Sequence, residues 1–146
     1  MCIRDRGHTS TKEITSAIEA VYPVIEIHNK VLRGEAPNGH ELIANNAIHA
    51  GVVRGRPVPD PAALLTTDLT LVFDGAIVDS WASIQWPGDI LSAIKWLVER
   101  LAESGQRLQA GDWILTGAFG PPIPLGDKTR VDVTSSAFGN VGATFV

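Results

Sequence analysis

The sequence predicts an α+β fold dominated by antiparallel sheet. Three observations lead there: at least six short strand-like runs, two segments with helical periodicity, and no regular alternation between them. Regular alternation would mark a doubly wound parallel sheet, which is disfavoured here. A chain of 146 residues suits one domain with a sizeable core.

Ser10 and Glu13 are spaced as a capping box, so a helix is expected from Thr11. Ile14, Ala17, Ile18 and Val21 mark its buried face, and Pro23 ends it. Val24 to Ile27 follows as a short strand, and residues 33–40 read as a loop. His40 to Ile48 has the look of a short helix ending near Asn45-Asn46, before a brief strand at Gly51 to Val53. The prolines at 57, 59 and 61 mark a connector. The clearest hairpin has Leu69 to Phe73 and Ala76 to Val78 on either side of Asp74-Gly75, a type I′ turn signal. A second helix is expected from Asp89 as N-cap, burying Ile90, Ile94, Leu97, Val98 and Leu101 and ending at Gly105. Lys95 and Glu99 face outward as an i,i+4 pair. Strands at Trp113 to Leu115, Thr129 to Val133 and Asn140 to Phe145 complete the pattern.

Composition narrows the function classes. A hydrophobic content of 45% argues for a globular chain with much buried surface. The net charge of −4, with no stripe of Lys or Arg, disfavours nucleic acid as a partner. No apolar run approaches a membrane span, so no membrane partner is expected. A single cysteine, Cys2, leaves no internal disulfide and fits a reducing cytoplasm. Residues 1–10 carry no periodicity and are expected to be a non-native or disordered leader to a domain spanning 11–146.

Chemistry concentrates at three places. The run Gly111-Asp112-Trp113-Ile114-Leu115-Thr116-Gly117-Ala118-Phe119-Gly120-Pro121-Pro122 reads as a short buried strand ending in a Gly-rich loop. Gly117 lets a ligand approach the main chain, with the Thr116 hydroxyl beside it. Equally, Gly117 can serve a tight turn that needs positive φ. Glu26 interrupts an apolar strand: a carboxylate near a core needs a metal or hydrogen-bond donors, whereas one on a solvated edge needs neither. One carboxylate cannot make a Mg²⁺ site, so further acids must come from elsewhere. Asn45-Asn46 with His49 is the third place. The amides either bind a substrate carbonyl or carboxylate or cap a helix, and His49 either moves a proton or is structural. Trp96 and Trp113 are expected to pack, and the Gly-rich segments lack the lysine and context of a phosphate loop.

With these residues in view, positions 11–146 resemble the C-terminal portion of the 2-oxopent-4-enoate (2-hydroxypenta-2,4-dienoate) hydratases of the fumarylacetoacetate hydrolase superfamily, near relatives of the 4-oxalocrotonate decarboxylases. The resemblance is carried by Ala17-Ile18-Glu19 through Pro23-Val24-Ile25-Glu26, by Ala44-Asn45-Asn46-Ala47, by Trp96-Leu97, by Gly111 to Pro121 and by Gly142-Ala143-Thr144-Phe145. It implies a mostly antiparallel, mixed β-sandwich or roll with two flanking helices, truncated at the N-terminus. It also implies Mg²⁺ or Mn²⁺, with Glu26 as one metal ligand, and Thr116, Gly117 and Asn46 binding substrate. Asn46 and His49 are the catalytic candidates. The implied reaction tautomerises a metal-chelated dienol and adds water, giving 4-hydroxy-2-oxo acids in aromatic catabolism. The implied protein is a cytoplasmic homo-oligomer acting on 2-oxo or 2-hydroxy-dienoates. A 2-oxo-3-enedioate decarboxylase, an acylpyruvate hydrolase and a non-catalytic homologue are the alternatives. The sequence departs from the pattern in lacking an upstream Glu-x-Glu and its lysine, in Ile48 where a serine is usual, and in Gly88-Asp89-Ile90 where Gly-His-Pro is common.

Overall fold

Asp74 and Gly75 both adopt positive φ, 46° and 84°, the backbone that a two-residue type I′ turn demands. In the computed structural model, which describes residues 10–29, 31–34, 38–58 and 66–146, this turn joins β3 (Thr67–Phe73) to β4 (Ala76–Ile84). β5 (Arg130–Ser135) pairs with β3, and β6 (Gly139–Thr144) pairs with β5, giving a four-stranded sheet ordered β4-β3-β5-β6. A separate ribbon pairs β1 (Val24–His28) with β2 (His49–Arg54). Every ladder between the named strands is antiparallel, as the strand spacing predicts.

The sheet's turns are tied by side chains. Asp74 Oδ1 accepts from the Arg130 N–H at 2.8 Å and the Thr129 N–H at 3.2 Å, fixing the hairpin tip against the start of β5. At the other end the buried Thr67 and Ser135 hydroxyls meet at 2.7 Å, and Ser135 Oγ also accepts from the Phe138 N–H. Phe73, Val131, Phe138 and Val141 supply the sheet's part of the buried apolar core.

Three α-helices accompany the strands among the described residues: α1 and α3 are the two expected to flank the sheet, and α2 is the short helix expected from His40. α1 (Thr11–Ala17) opens with the predicted capping box. It stops after seven residues rather than running toward Pro23. Ile18 is already extended, and Val21 forms a bridge with Val58, so strand-type bonding replaces the helix that the apolar spacing predicted. Ile14, 2% exposed, is the buried residue of α1, which packs on α3; full burial of such a side chain contributes about 1.5–3 kcal/mol. α2 (Gly39–Ala44) is capped by Asn38, whose side chain accepts from the His40 and Glu41 N–H groups. α3 (Trp86–Glu103) begins three residues before the expected N-cap, placing Asp89 inside the helix. A proline in its first turn suits that earlier start. Its end agrees with the sequence: Gly105 takes φ 70°, and the Gly105 and Gln106 N–H groups reach the Ala102 and Leu101 carbonyls.

Gly55 joins ribbon to sheet. A Cβ there would lie 2.8 Å from Pro23 Cγ and 3.0 Å from the Asn140 carbonyl oxygen, so only glycine permits this approach. Residues 1–9 of the leader expected over 1–10, and the 59–65 part of the proline connector, lie outside the described residues, whereas Ser10 is the N-cap of α1.

Candidate active site

The β1–β2 ribbon has two unlike faces, and its register determines what each carries. Val24 pairs with Arg54, Ile25 with Val53, Glu26 with Val52 and Ile27 with Gly51. Paired residues share a face and neighbours along a strand alternate. Ile25, Ile27 and Val53 therefore lie on one face, while Val24, Glu26, Val52 and Arg54 lie on the other. Val52 and Arg54 are exposed and Val53 is half-buried, so the Glu26 face is the open one.

A bulge between Ile27 and His28 resets the pairing so that His28 opposes His49. Two imidazoles consequently meet one carboxylate. His49 Nδ1 lies 2.8 Å from Glu26 Oε1, and His28 Nε2 lies 3.4 Å from the same oxygen. The three side chains are each about one-quarter exposed (26–27%). Glu26 thus satisfies its carboxylate with neighbours rather than facing a dry core. Oε2 has no hydrogen-bond or ion-pair partner among the described residues. His28 escaped the sequence reading, although period-two alternation places residue 28 on the side of residue 26.

His49 is delivered by an unusual turn. Asn46, Ala47 and Ile48 form a single 3₁₀ turn in which all three hold left-handed φ, 50°, 54° and 55°. The His49 N–H donates to the Asn46 carbonyl, and the Asn29 N–H donates to the Ile48 carbonyl at 2.9 Å, docking the turn on the end of β1. The two amides are placed differently. Asn45 caps α2, its Nδ2 donating to the Glu41 carbonyl at 3.0 Å. The exposed Asn46 side chain makes no hydrogen bond among the described residues.

Trp113 to Leu115 is not a strand, contrary to its composition. Trp113 is 61% exposed and Leu115 44% exposed, and no described strand pairs with the run. The segment lies between Gly111 at φ 93° and Gly117 at φ 97°, which break its extended path at both ends. Gly117 therefore does use the positive φ that glycine permits, and open space surrounds the position of its missing Cβ. Thr116 is half-buried. No hydrogen bond or ion pair links Thr116 or Gly117 to Glu26, His49 or Asn46 among the described residues.

Aromatic packing does bring the segment to the ribbon. The Trp113 and Tyr22 rings lie 4.9 Å apart, and the Arg54 guanidinium sits 4.7 Å from the Trp113 centroid. Arg54 belongs to the open face that carries Glu26, two register positions away. Farther along, Phe119 lies 6.5 Å from Trp81. Trp96 is 60% exposed on α3, so it does not pack as the sequence predicted.

Among the described residues, no group of three His, Cys, Asp or Glu side chains is arranged to hold a metal ion. Glu26 offers one free carboxylate oxygen, so the residues present fit a contributor to a metal site and not a whole one. No described helix is long and apolar enough to cross a membrane.

No family model matches the chain. It is 32% identical over 139 residues to the 2-keto-4-pentenoate hydratase 1 of Dechloromonas aromatica (strain RCB), covering 91% of this chain and 51% of that protein. It is 32% identical over 140 residues to the 2-keto-4-pentenoate hydratase of Burkholderia vietnamiensis, covering 94% and 53%. Its fold is that of the 4-oxalocrotonate decarboxylase from Pseudomonas putida G7 solved with magnesium and adipate: TM-score 0.81, 24% identity, 93% of this chain and 52% of that one. The chain spans about half the length of the curated relatives it matches.

Proposed function

We propose, from the premise that this chain belongs to the family of the 2-keto-4-pentenoate hydratases and 4-oxalocrotonate decarboxylases, that it forms part of a hydro-lyase. Its substrates are 2-hydroxypenta-2,4-dienoate-type acids, hydrated to 4-hydroxy-2-oxo acids in aromatic catabolism. The cofactor in this reading is Mg²⁺ or Mn²⁺, with Glu26 as one ligand and the others supplied from beyond the described residues. When bound, the ion would polarise the 2-oxo acid and offset enolate charge, work suited to a hard cation.

The chain's own residues take the remaining roles. The Thr116 hydroxyl and the Gly117 N–H donate to the substrate carboxylate, and the Asn46 amide, which has no partner among the described residues, hydrogen-bonds the substrate. His49, held against Glu26, moves a proton. The reading also places the protein in the cytoplasm as a homo-oligomer, whose subunit contacts would cover exposed apolar side chains such as Trp96 and Phe119.

One observation carries the proposal: Glu26 shares its open ribbon face with Arg54, on which Trp113 stacks three residues before Thr116. Ultraviolet assays with Mg²⁺ on a 2-hydroxydienoate, a 2-oxo-3-enedioate and an acylpyruvate test it. Loss of dienol absorbance with formation of a 4-hydroxy-2-oxo acid is expected. Release of carbon dioxide from the enedioate alone, or cleavage of the acylpyruvate alone, would replace the hydratase by a sister activity.

A further inference from the structure

Residues 113–118 pose a mechanical problem. They hold the two residues assigned to the substrate carboxylate, yet they belong to no strand, and no backbone hydrogen bond of theirs exists among the described residues. At the near end, Gln109 and Asp112 close a small turn, the Gln109 N–H donating to Asp112 Oδ2 at 2.7 Å. At the far end, Phe119 lies against Trp81, and a Cβ on Gly120 would lie 3.1 Å from the Trp81 ring. Between these anchors Trp113 makes the segment's aromatic contacts with the ribbon, while Ile114 and Thr116 are half-buried.

Arg54 is the centre of that contact. Its guanidinium lies 4.7 Å from the Trp113 centroid and 5.7 Å from that of Tyr22, while the two rings stack at 4.9 Å with a tilt of 39°. Arg54 makes no ion pair among the described residues, so no carboxylate competes for the charge. Its strand position is fixed by pairing with Val24, on the face that carries Glu26. A planar cation on aromatic faces is a directional contact that lysine reproduces only in part.

We propose that Arg54 is a positioning residue: with Tyr22 it clamps Trp113, and through Trp113 it holds the Thr116-Gly117 step on the Glu26 side of the ribbon. The substrate role of that step rests on the function proposed above, whereas the clamp itself does not. Arg54 acts on substrate only through the placement of Thr116 and Gly117.

Limited proteolysis by chymotrypsin on the full chain, with fragments read by mass spectrometry, tests the clamp without substrate. Arg54→Met keeps an unbranched apolar stem and removes the cation. Cleavage after Trp113 and Leu115 is expected to accelerate about tenfold, with cleavage within the β3–β6 sheet unchanged and Arg54→Lys intermediate. Tyr22→Leu, which removes one wall of the clamp, is expected to act in the same direction. Unchanged cleavage over 112–118 in Arg54→Met, or acceleration spread evenly over the sheet, overturns the proposal. In the dienol assay, Arg54→Met is expected to raise KM more than it lowers kcat, with partial rescue by Arg54→Lys. A local proteolysis response without any effect on KM would keep the clamp and overturn the link from Trp113 to substrate binding. If the unsubstituted protein has no dienol activity, the hydratase reading fails while the proteolysis result still decides the clamp.

Discussion

Ala47 offers a direct measure of the strain in the turn that presents His49. Its φ of 54° lies in the left-handed region, between Asn46 at 50° and Ile48 at 55°. For an L-residue with a Cβ, that conformation costs roughly 1–2 kcal/mol. Glycine removes the cost but enlarges the freedom of the unfolded chain, which opposes the gain by about 0.4–1 kcal/mol. The Ala47 side chain is exposed, so its loss sacrifices little burial. Ala47→Gly is therefore expected to stabilise the protein by about 0.5–1 kcal/mol, a rise of roughly 1–4 °C in Tm. Ala50→Gly is the control: it is also exposed, but sits at the β2 bulge outside the left-handed region, so glycine relieves no such strain there and is expected to cost about 0.5–1 kcal/mol. Urea unfolding of the two variants at one pH separates them by sign. If Ala47→Gly proves no more stable than Ala50→Gly, the left-handed turn is not strained and the argument fails. Ile48 is a poorer probe, because its half-buried side chain would be lost together with the strain.

Other outcomes follow from single contacts. Gly55→Ala is expected to cost about 1–3 kcal/mol by urea unfolding, because its Cβ meets the Asn140 carbonyl and the Pro23 ring with no flexible side chain to yield. The Ser10 backbone N–H, followed by its hydroxyl, holds the Glu13 carboxyl below its usual value, and the Arg130 guanidinium does the same to Asp132. A depressed folded pKa contributes stability above the ordinary carboxylate range and loses it as pH falls through the folded value. The urea midpoint is therefore expected to fall as pH drops below about 4, and Asp132→Asn should flatten part of that slope. Titrated calorimetrically with Mg²⁺, the chain is expected to bind weakly and Glu26→Gln more weakly still. Tight stoichiometric binding would show that one carboxylate is not the chain's whole contribution.

Much of the fold was legible because local chemistry and final structure agree. Asp74-Gly75 specifies a hairpin whatever surrounds it, and the Ser10–Glu13 box and Gly105 mark helix ends by backbone hydrogen bonding alone. Reading went astray where a partner decides. Ile18 and Val21 continue the periodicity of α1, yet a bridge from Val21 to Val58 overrides a propensity worth only tenths of a kcal/mol per residue. Trp113-Ile114-Leu115 is strand-like in composition, but a strand exists only through its ladder, and no described strand offers one.

The candidate site divides along the same line. Glu26 stood out because a charge within an apolar run requires an explanation, and the structure supplies one in His49 and His28. Pairing across 23 positions of sequence cannot be read from spacing, since register depends on the bulge after Ile27. Arg54 was harder still. An arginine at a strand end is ordinary by composition, and its meaning comes from two rings, Tyr22 beside its paired strand and Trp113 far along the chain. That contact also explains how Trp113 can be 61% exposed and still be fixed: cation–π packing against a guanidinium with no ion pair among the described residues needs only one covered face. The largest apolar residue of the Gly111–Gly117 segment thus couples a loop without a ladder to the ribbon that carries the carboxylate, a division of labour that periodicity cannot show.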